Sequence, residues 1–314
     1  MARFLLGALI AVALAQPAWA ETVKLAVGQR GNWDTAVAEL GQRAGIFGKH
    51  GLELEILYTA GGGETLQAVL SRSVDVGVAA GTLGVLGAAA KGAPVRIIGA
   101  ETTGAADLYW YVPAGSPMRS VSDLAGKTFA FSTAGSSTDA AGRMAMAQYG
   151  VPFRMVATGS LPSTFTQVMS GQIDVGWAAA PFGVEALRDG RTRAILRGSD
   201  IAAAQDQTIR MLLTHAAVLG QKKKVLAAFM QDYRETIEAM YTDDAVLRIY
   251  AEFAGIPEDV ARQTRDQFFP RAAIDPDRIV GLDAVMDDGV RFKFMAAPLT
   301  PAQVAQVVVA DQLK

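Results

Sequence analysis

Most residues of this sequence that could hold a small molecule lie in short polar or glycine-rich segments, each of which follows an apolar run. Amide, hydroxyl and free backbone N–H groups in such segments donate and accept hydrogen bonds, and indole rings offer flat apolar faces. This chemistry is that of noncovalent binding. The candidate ligand contacts are Gln29, Asn32, Trp33, Gly62, Gly63, Glu64, Gly81, Thr82, Trp110, Ser132, Ser136, Ser137, Thr138, Trp177 and Pro181.

The strongest local pattern is the hydroxyl-rich segment 132–138. Ser136, Ser137 and Thr138 follow Gly135 at the predicted start of a helix. One hydroxyl is enough to cap a helix, so three hydroxyls in succession favour a contact with a ligand.

A second predicted contact is the run Gly61-Gly62-Gly63. Glycines let backbone N–H groups approach a bound group closely, and the positive end of the following helix suits a carboxylate, sulfonate or phosphate. The same run also fits a flexible turn without a ligand, and Glu64 could complement the helix dipole itself. Thr82 similarly fits a helix cap, a ligand contact or both.

Three tryptophans are candidates for an apolar contact. Trp33 either meets the ligand or packs over the helix that Asp34 is expected to cap. Trp110 is preferred over its strand neighbour because adjacent strand residues face opposite ways. Trp177 stands where Val78 stands in an equivalent segment, and it fits a core position as well as a ligand contact. Several aromatic candidates favour a planar or partly apolar ligand.

The composition excludes several classes of function. No cysteine is present, which rules out disulfides, thiolate catalysis and thiolate metal sites. The two histidines, His50 and His215, are too few for a histidine metal site. The net charge of −2, from 29 basic and 31 acidic residues, argues against nucleic-acid binding. We expect neither a cofactor nor a metal.

The first 20 residues have the three parts of a secretory signal peptide. Arg3 supplies the positive charge, an apolar run follows, and Ala18 and Ala20 form a small-residue cleavage site. The apolar run is shorter than the roughly 20 residues of a membrane-spanning helix. We therefore expect cleavage near Ala20 and export to the periplasm.

After this segment, predicted strands and helices alternate, which is typical of α/β domains with mainly parallel sheets. Two stretches align without gaps, residues 69–77 and residues 168–176, and each is a helix end, a tight turn and a buried strand. Asp75 and Asp174 occupy equivalent places, which indicates a structural role in the turn. We infer two similar lobes, although a chance likeness of common turn sequences is the alternative.

The order of elements predicts which segments form each lobe. Residues 21–111 and 212–314 are assigned to lobe one, and residues 112–211 to lobe two. The chain is expected to cross between the lobes twice, and two connecting strands permit hinge closure around a ligand. In open α/β sheets, ligands bind beyond the carboxyl ends of the strands, where the candidate loops lie.

Four stretches of the sequence resemble periplasmic binding proteins of ABC importers, in the branch for sulfonates, nitrate, taurine and thiamine-pyrimidine precursors. They lie between about residues 23 and 190, and at Arg72 the sequence departs from the family's usual glycine. The stretches are residues 45–54, 70–77, 112–127 and 132–137.

The resemblance implies a two-lobed type-II periplasmic-binding-protein fold, a ligand between the lobes, and an ABC permease with its ATPase as partner. It implies no catalysis, and we expect a monomer that binds a small anionic or aromatic organic molecule. One alternative is a receptor module that presents its ligand to a membrane sensor. The other is an enzyme of the same fold, such as a pyrimidine-precursor synthase, which the export signal and the scarcity of histidine oppose.

Overall fold

The structure is a computed structural model that describes residues 20–314. The expected signal peptide, except Ala20, lies outside the described residues. Within residues 20–314, no helix is both long and apolar enough to cross a membrane.

The described chain contains ten β-strands and twelve α-helices. The strands are β1 (Glu21–Gly28), β2 (Leu52–Thr59), β3 (Val76–Gly81), β4 (Val95–Thr103), β5 (Leu108–Pro113), β6 (Thr128–Phe131), β7 (Arg154–Ala157), β8 (Gly176–Ala179), β9 (Thr192–Arg197) and β10 (Thr208–His215). The helices are α1 (Val37–Arg43), α2 (Ile46–Lys49), α3 (Gly62–Leu70), α4 (Thr82–Ala90), α5 (Ser137–Tyr149), α6 (Leu161–Met169), α7 (Val184–Arg188), α8 (Ala216–Thr242), α9 (Asp244–Ala254), α10 (Glu258–Phe268), α11 (Leu282–Arg291) and α12 (Pro301–Val307).

The first sheet has the strand order β2-β1-β3-β10-β4. β1 pairs in parallel with β2 and β3, whereas β10 runs antiparallel to both β3 and β4. Its inner strands β3 and β10 are buried on both faces, whereas the edge strand β2 alternates between buried and exposed residues, and helices α8 and α3 pack against the sheet. This is the burial pattern that a mainly parallel sheet requires.

The second sheet repeats this arrangement. β6 pairs in parallel with β7, and β5 lies antiparallel between β8 and β9. The two groups join where the N–H of Ala130 donates to the carbonyl of Val175 at 2.9 Å, so the combined order is β7-β6-β8-β5-β9. Four strands of each sheet run in one direction and one runs against them, which confirms the predicted fold class.

The aligned segments have the same local structure. The carboxylate of Asp75 accepts the N–H of Lys24 on β1 at 3.0 Å, and that of Asp174 accepts the N–H of Thr128 on β6 at 2.8 Å. Each aspartate therefore ties the start of one strand to the next strand of its own sheet. In the preceding turns, Arg72 has a φ of 60° where Gly171 has 77°. Arg72 thus adopts the left-handed conformation that glycine favours.

The two crossing strands lie entirely within one sheet each. β5 pairs only with strands of the second sheet, and β10 only with strands of the first. The boundaries expected at 111/112 and 211/212 cut through these strands. We therefore propose that the lobes meet within residues 104–107 and 205–207, so that each strand remains whole.

Candidate ligand-binding cleft

A small cavity lies between the lobes at the carboxyl ends of β1, β3 and β6, and we call it the deep cavity. Its volume is about 30 Å³, enough for only one or two water molecules. Lobe one contributes the loops after β1 and β3 and the start of α3, and lobe two contributes the start of α5 and the end of β8. The lining residues are Gly28, Gln29, Asn32, Asp34, Thr35, Gly61, Gly62, Ala79, Leu108, Ser132, Ser136, Ser137, Thr138, Trp177, Ala179 and Arg210.

The hydroxyl-rich segment forms the lobe-two wall of this cavity. Ser136 Oγ caps α5 by accepting the N–H of Asp139 at 3.2 Å. Thr138 Oγ1 accepts the N–H of Ser132 at 2.9 Å and also bonds to the hydroxyls of Ser132 and Ser136. Thr138 Oγ1 therefore links the hydroxyls of Ser132 and Ser136, while Ser137 faces lobe one.

A buried ion cluster forms the opposite wall. Arg210, on β10, is only 5% exposed, and it donates to Asp34 and, at 2.6 Å, to Asp107. Its Nε donates to Ser137 Oγ at 3.1 Å. One guanidinium thus joins the return strand, the loop after β1, the crossover segment and the lobe-two helix α5.

The acidic partners of Arg210 carry less negative charge than their number suggests. Burial, together with the nearby Asp34 carboxylate, holds the pKa of Glu101 well above its usual value. Glu101 Oε2 accepts the hydroxyl of Thr102 at 2.7 Å. Burial also raises the pKa of Asp107 to about 6, although Arg210 acts in the opposite direction.

Two polar side chains at the deep cavity are buried without a partner. Trp177 Nε1 and Asn32 Oδ1 find no hydrogen-bond partner among residues 20–314, and the two residues are 2% and 4% exposed. An unpaired buried polar group costs about 1–3 kcal/mol. A donor and an acceptor that line the same small space are satisfied together by a guest that offers both functions.

A larger chamber adjoins the deep cavity, because Asn32 lines both spaces. This outer chamber has a volume of about 670 Å³ and is also formed by both lobes. Its lining is Arg30, Gly31, Asn32, Phe165, Pro181, Phe182, Gly183, Val184, Glu185, Ala186, Arg188, Arg191, Ala254, Gly255, Ile256, Pro257 and Val260.

The lobes touch through backbone at several glycines. The N–H of Gly63 donates to Thr133 Oγ1 at 3.0 Å across the interface. A Cβ on Gly63 would clash with the carbonyl of Ala134, and one on Gly81 or Gly84 would clash with the carbonyl of Gly135. The backbones of the two lobes therefore approach each other more closely at these glycines than any side chain would allow.

The structure brings nine of the predicted contacts to the two spaces. Those that line the deep cavity are Gln29, Asn32, Gly62, Ser132, Ser136, Ser137, Thr138 and Trp177, and Pro181 lines the outer chamber.

The structure places two of the predicted tryptophan contacts in the core, away from both spaces. Trp33 is fully buried in the core of lobe one, with its ring edge-on to Tyr250 at 4.7 Å and its Nε1 donating to Tyr241. Trp110 is fully buried in lobe two, stacks on Phe129 and donates to the carbonyl of Ala130 at 3.0 Å. Both indoles already have partners that satisfy their N–H groups, and neither lines the cleft.

The other four contacts line neither space. Gly63 and Gly81 face lobe two, where they allow the close approach of its backbone. Glu64 accepts the N–H of Ala60 at 2.9 Å and so complements the start of α3. Thr82 Oγ1 donates to the carbonyl of Thr208 at 2.6 Å and holds α4 against β10.

Sequence reasoning missed the ion cluster. Asp34 was expected to cap a helix, but its side chain makes no cap bond and instead accepts from Arg210 and from Thr102 at 3.1 Å. The available signal was Arg210 itself, a charged residue in the middle of the apolar strand β10. Charged side chains are seldom buried unless they are paired.

One side-chain group outside the cleft has the composition of a metal site. His50, Asp232 and Glu235 lie within 4.8 Å of one another through their ligand atoms. His50 is already paired with Asp232, and Glu235 lies 3.5 Å from the ammonium of Lys49. None of the three lines the cleft.

Comparison with known proteins identifies the family. A model of the NMT1/THI5-like family matches residues 34–245. The chain belongs to the NMT1/THI5-like family. A search of curated proteins finds no match to this sequence.

Solved structures share the fold of this NMT1/THI5-like protein. The alkanesulfonate-binding protein SsuA of Xanthomonas axonopodis pv. citri, bound to MOPS, has a TM-score of 0.71 at 20% identity, covering 94% of this chain and 99% of its own. The periplasmic nitrate-binding protein NrtA of Synechocystis PCC 6803 has a TM-score of 0.70 at 14% identity, covering 93% and 86%. The desulfurization enzyme DszB has a TM-score of 0.65 at 14% identity, covering 93% and 97%. These likenesses confirm the periplasmic-binding-protein fold.

The ion cluster predicts a large loss of stability when its cation is removed. Arg210→Met leaves the carboxylates of Asp34 and Asp107 buried without a counter-charge, and we expect a loss of about 3–5 kcal/mol in the free energy of unfolding. Urea unfolding measures it. Arg119→Met, at an exposed position, serves as the control and should change stability by less than about 0.5 kcal/mol. An equally small effect at Arg210 would contradict the assigned role.

The raised pKa of Glu101 predicts a specific pH dependence. The pKa of Glu101 is higher in the folded state than in the unfolded state. The stability that its protonated form contributes to the folded state is therefore fully present below about pH 4 and is lost as pH rises. Glu101→Gln keeps a donor for Asp34 without a titrating proton. We expect the variant to gain stability over the wild type as pH increases from about 4 to 8. If the difference in the free energy of unfolding between variant and wild type, measured with urea, is the same at both ends of this range, the pKa of Glu101 is not raised in the folded protein.

Proposed function

We propose that this protein is an exported solute-binding protein that captures a small anionic or aromatic organic molecule between its lobes and delivers it to an ABC permease with its ATPase. The observation that carries the proposal is the unpaired Trp177 N–H and Asn32 carbonyl in a cavity shared by both lobes. Closure on a guest satisfies both groups. We expect one ligand per chain and a monomeric protein.

The side chains of the cleft support binding without turnover. Ser137 Oγ accepts a hydrogen bond from Arg210, and no histidine lines either space. His50 pairs with Asp232, and His215 caps α8 through the N–H of Ala217. A nucleophilic serine needs an adjacent base to accept its proton. Since DszB shares the fold, the argument rests on these side chains and not on the architecture.

The transport context rests on the relatives and on the predicted signal peptide. SsuA binds alkanesulfonates and NrtA is a periplasmic nitrate-binding protein. Both are consistent with an anionic ligand and a periplasmic location for this chain.

A thermal-shift screen of sulfonates, aromatic carboxylates, nitrate and pyrimidines tests the proposed ligand classes directly. A ligand at a hundredfold excess over its Kd stabilises the folded state by roughly 2.7 kcal/mol, which is readily seen in a melting curve. If no compound of these classes raises the melting temperature at millimolar concentration, the proposed ligand chemistry is wrong.

The two buried tryptophans of lobe two provide a matched test of the site. Trp177→Phe removes an N–H that has no partner within the described chain, so we expect a roughly tenfold loss of affinity for the best compound of the screen, with little loss of stability. Trp110→Phe removes a satisfied core hydrogen bond and should lower stability by about 1 kcal/mol without changing affinity. Calorimetry and urea unfolding measure the two effects. If Trp110→Phe lowers the affinity and Trp177→Phe lowers only the stability, the ligand does not bind in the deep cavity.

Lobe closure can be blocked without disturbing either lobe. Gly84→Ala adds a methyl group that clashes with the carbonyl of Gly135 in lobe two only when the lobes are closed. Gly84 lies in α4, where alanine is the better helix former. We expect a loss of tenfold or more in affinity with no loss of melting temperature in the ligand-free protein. Gly220→Ala, on α8 with open space around it, is the control, and equal affinities of the two variants would show that binding does not need this closed form.

A further inference from the structure

The outer chamber, and not the deep cavity, has the size of a ligand site. Pockets for small organic molecules usually span about 300–1,000 Å³, and the chamber measures about 670 Å³ against about 30 Å³ for the deep cavity. Lobe one contributes the loop after β1 and the turn between α9 and α10, and lobe two contributes α6 and α7. A guest that reaches Asn32 from solvent therefore has most of its bulk in the chamber.

The wall of the chamber is apolar and partly aromatic. Phe165 and Phe182 of lobe two lie 6.2 Å apart, edge to face, and Ile256 and Val260 of lobe one line the same space. These side chains suit an aromatic ring or a branched hydrocarbon, since they offer it no hydrogen bonds.

The polar lining of the chamber is mainly cationic. Exposed Arg30, Arg188 and Arg191 line it, with Glu185 as the single acid. Arg30 lies with its Cζ 4.2 Å from the centre of the Phe253 ring and has no salt bridge within residues 20–314. Arg188 donates to the neutral amide of Gln263 at 3.1 Å. Arg191 lies 3.8 Å from the carboxylate of Asp189, so Arg30 and Arg188 are the lining arginines without a carboxylate partner within residues 20–314, and they favour a carboxylate or sulfonate at this end of the ligand.

The deep end has a different chemistry. Arg210 is engaged by Asp34, Asp107 and Ser137 and is not free to pair with an anion. The atoms of the deep cavity without a hydrogen-bond partner among residues 20–314 are the indole Nε1 of Trp177, the amide oxygen of Asn32 and Oδ1 of Asp34, whose other carboxyl oxygen pairs with Arg210. They match an uncharged group that donates and accepts, such as a hydroxyl, and the small volume admits little more.

We propose that the ligand is an elongated amphiphilic acid: an uncharged hydrogen-bonding group at Asn32 and Trp177, an aromatic or branched body between Phe165, Phe182 and Val260, and a carboxylate or sulfonate among the arginines. This ligand class rests on the proposed solute-binding function and narrows it.

Calorimetry with four probes separates the three parts of the ligand. 3-(4-Hydroxyphenyl)propionate carries all three, 3-phenylpropionate lacks the hydroxyl, the methyl ester of the first lacks the charge, and methanesulfonate carries the anionic group without the hydroxyl or the body. We expect the first to bind tightest. Loss of the hydroxyl should weaken binding roughly tenfold because the buried groups again lack a partner. Loss of the charge should weaken it about two- to fivefold, as for exposed ion pairs.

Variants assign each part to its residues. Val260→Trp fills the chamber and should weaken binding of the hydroxyphenyl acid at least tenfold. Arg188→Gln should weaken binding of the acid about two- to fivefold but not that of its methyl ester. Arg119→Gln, an exposed arginine elsewhere on lobe two, should change neither.

The outcomes distinguish the ligand class from the function. If methanesulfonate binds as tightly as the hydroxyphenyl acid, or if Val260→Trp leaves the affinity for that acid unchanged, the elongated ligand is wrong and the solute-binding function stands. The elongated ligand is also wrong, and the solute-binding function again stands, if none of the aromatic acids binds while another compound class stabilises the protein. If no small molecule stabilises it, both proposals fall.

Discussion

The hydrogen-bonded ion cluster around Arg210 is the constraint on which the rest of the cleft depends. Burying a guanidinium costs several kcal/mol unless carboxylates and other acceptors surround it. Asp34, Asp107 and Ser137 supply those acceptors from three different segments. Because the three partners must meet one planar group, they fix how the return strand, the crossover and α5 lie relative to one another.

This constraint also explains why the deep cavity takes an uncharged group. The guanidinium is already paired with Asp34 and Asp107, and burial and the Asp34 carboxylate raise the pKa of Glu101, which disfavours a further charge. The unpaired N–H of Trp177 and the unpaired amide oxygen of Asn32 beside it are dipoles. The same arrangement therefore provides two things. Buried Arg210 holds the segments of the two lobes together, and the uncharged groups of Trp177 and Asn32 lie beside it.

Much of the fold could be predicted from the sequence because each strand and helix has a strong local pattern. The predicted alternation of strands and helices is present in both sheets, since short apolar runs flanked by turns admit few alternatives. The equivalence of Asp75 and Asp174 was visible for the same reason. The ion cluster could not be predicted in full, because Asp107 lies far from Arg210 in sequence and only the crossover brings the two together.

The local sequence pattern does not predict whether a tryptophan of this protein faces the cavity or the core. Trp33, Trp110 and Trp177 all stand near strand ends, yet two are core residues with satisfied N–H groups and one faces the cavity. Whether a residue near a strand faces the core or the cavity depends on the neighbouring strands and helices. By contrast, Ser136–Thr138 could be assigned to the cavity wall, because a helix start after a parallel strand always lies at the same edge of the sheet.

The central claim is that the lobes close on a guest, and the absence of native cysteine makes it directly measurable. Spin labels at Gln67→Cys on α3 and Ser163→Cys on α6, both exposed, report the distance between the lobes by pulsed electron paramagnetic resonance. Binding of a stabilising ligand should shift a broad distribution of distances to a shorter and narrower one. An unchanged distribution at saturating ligand would contradict the account.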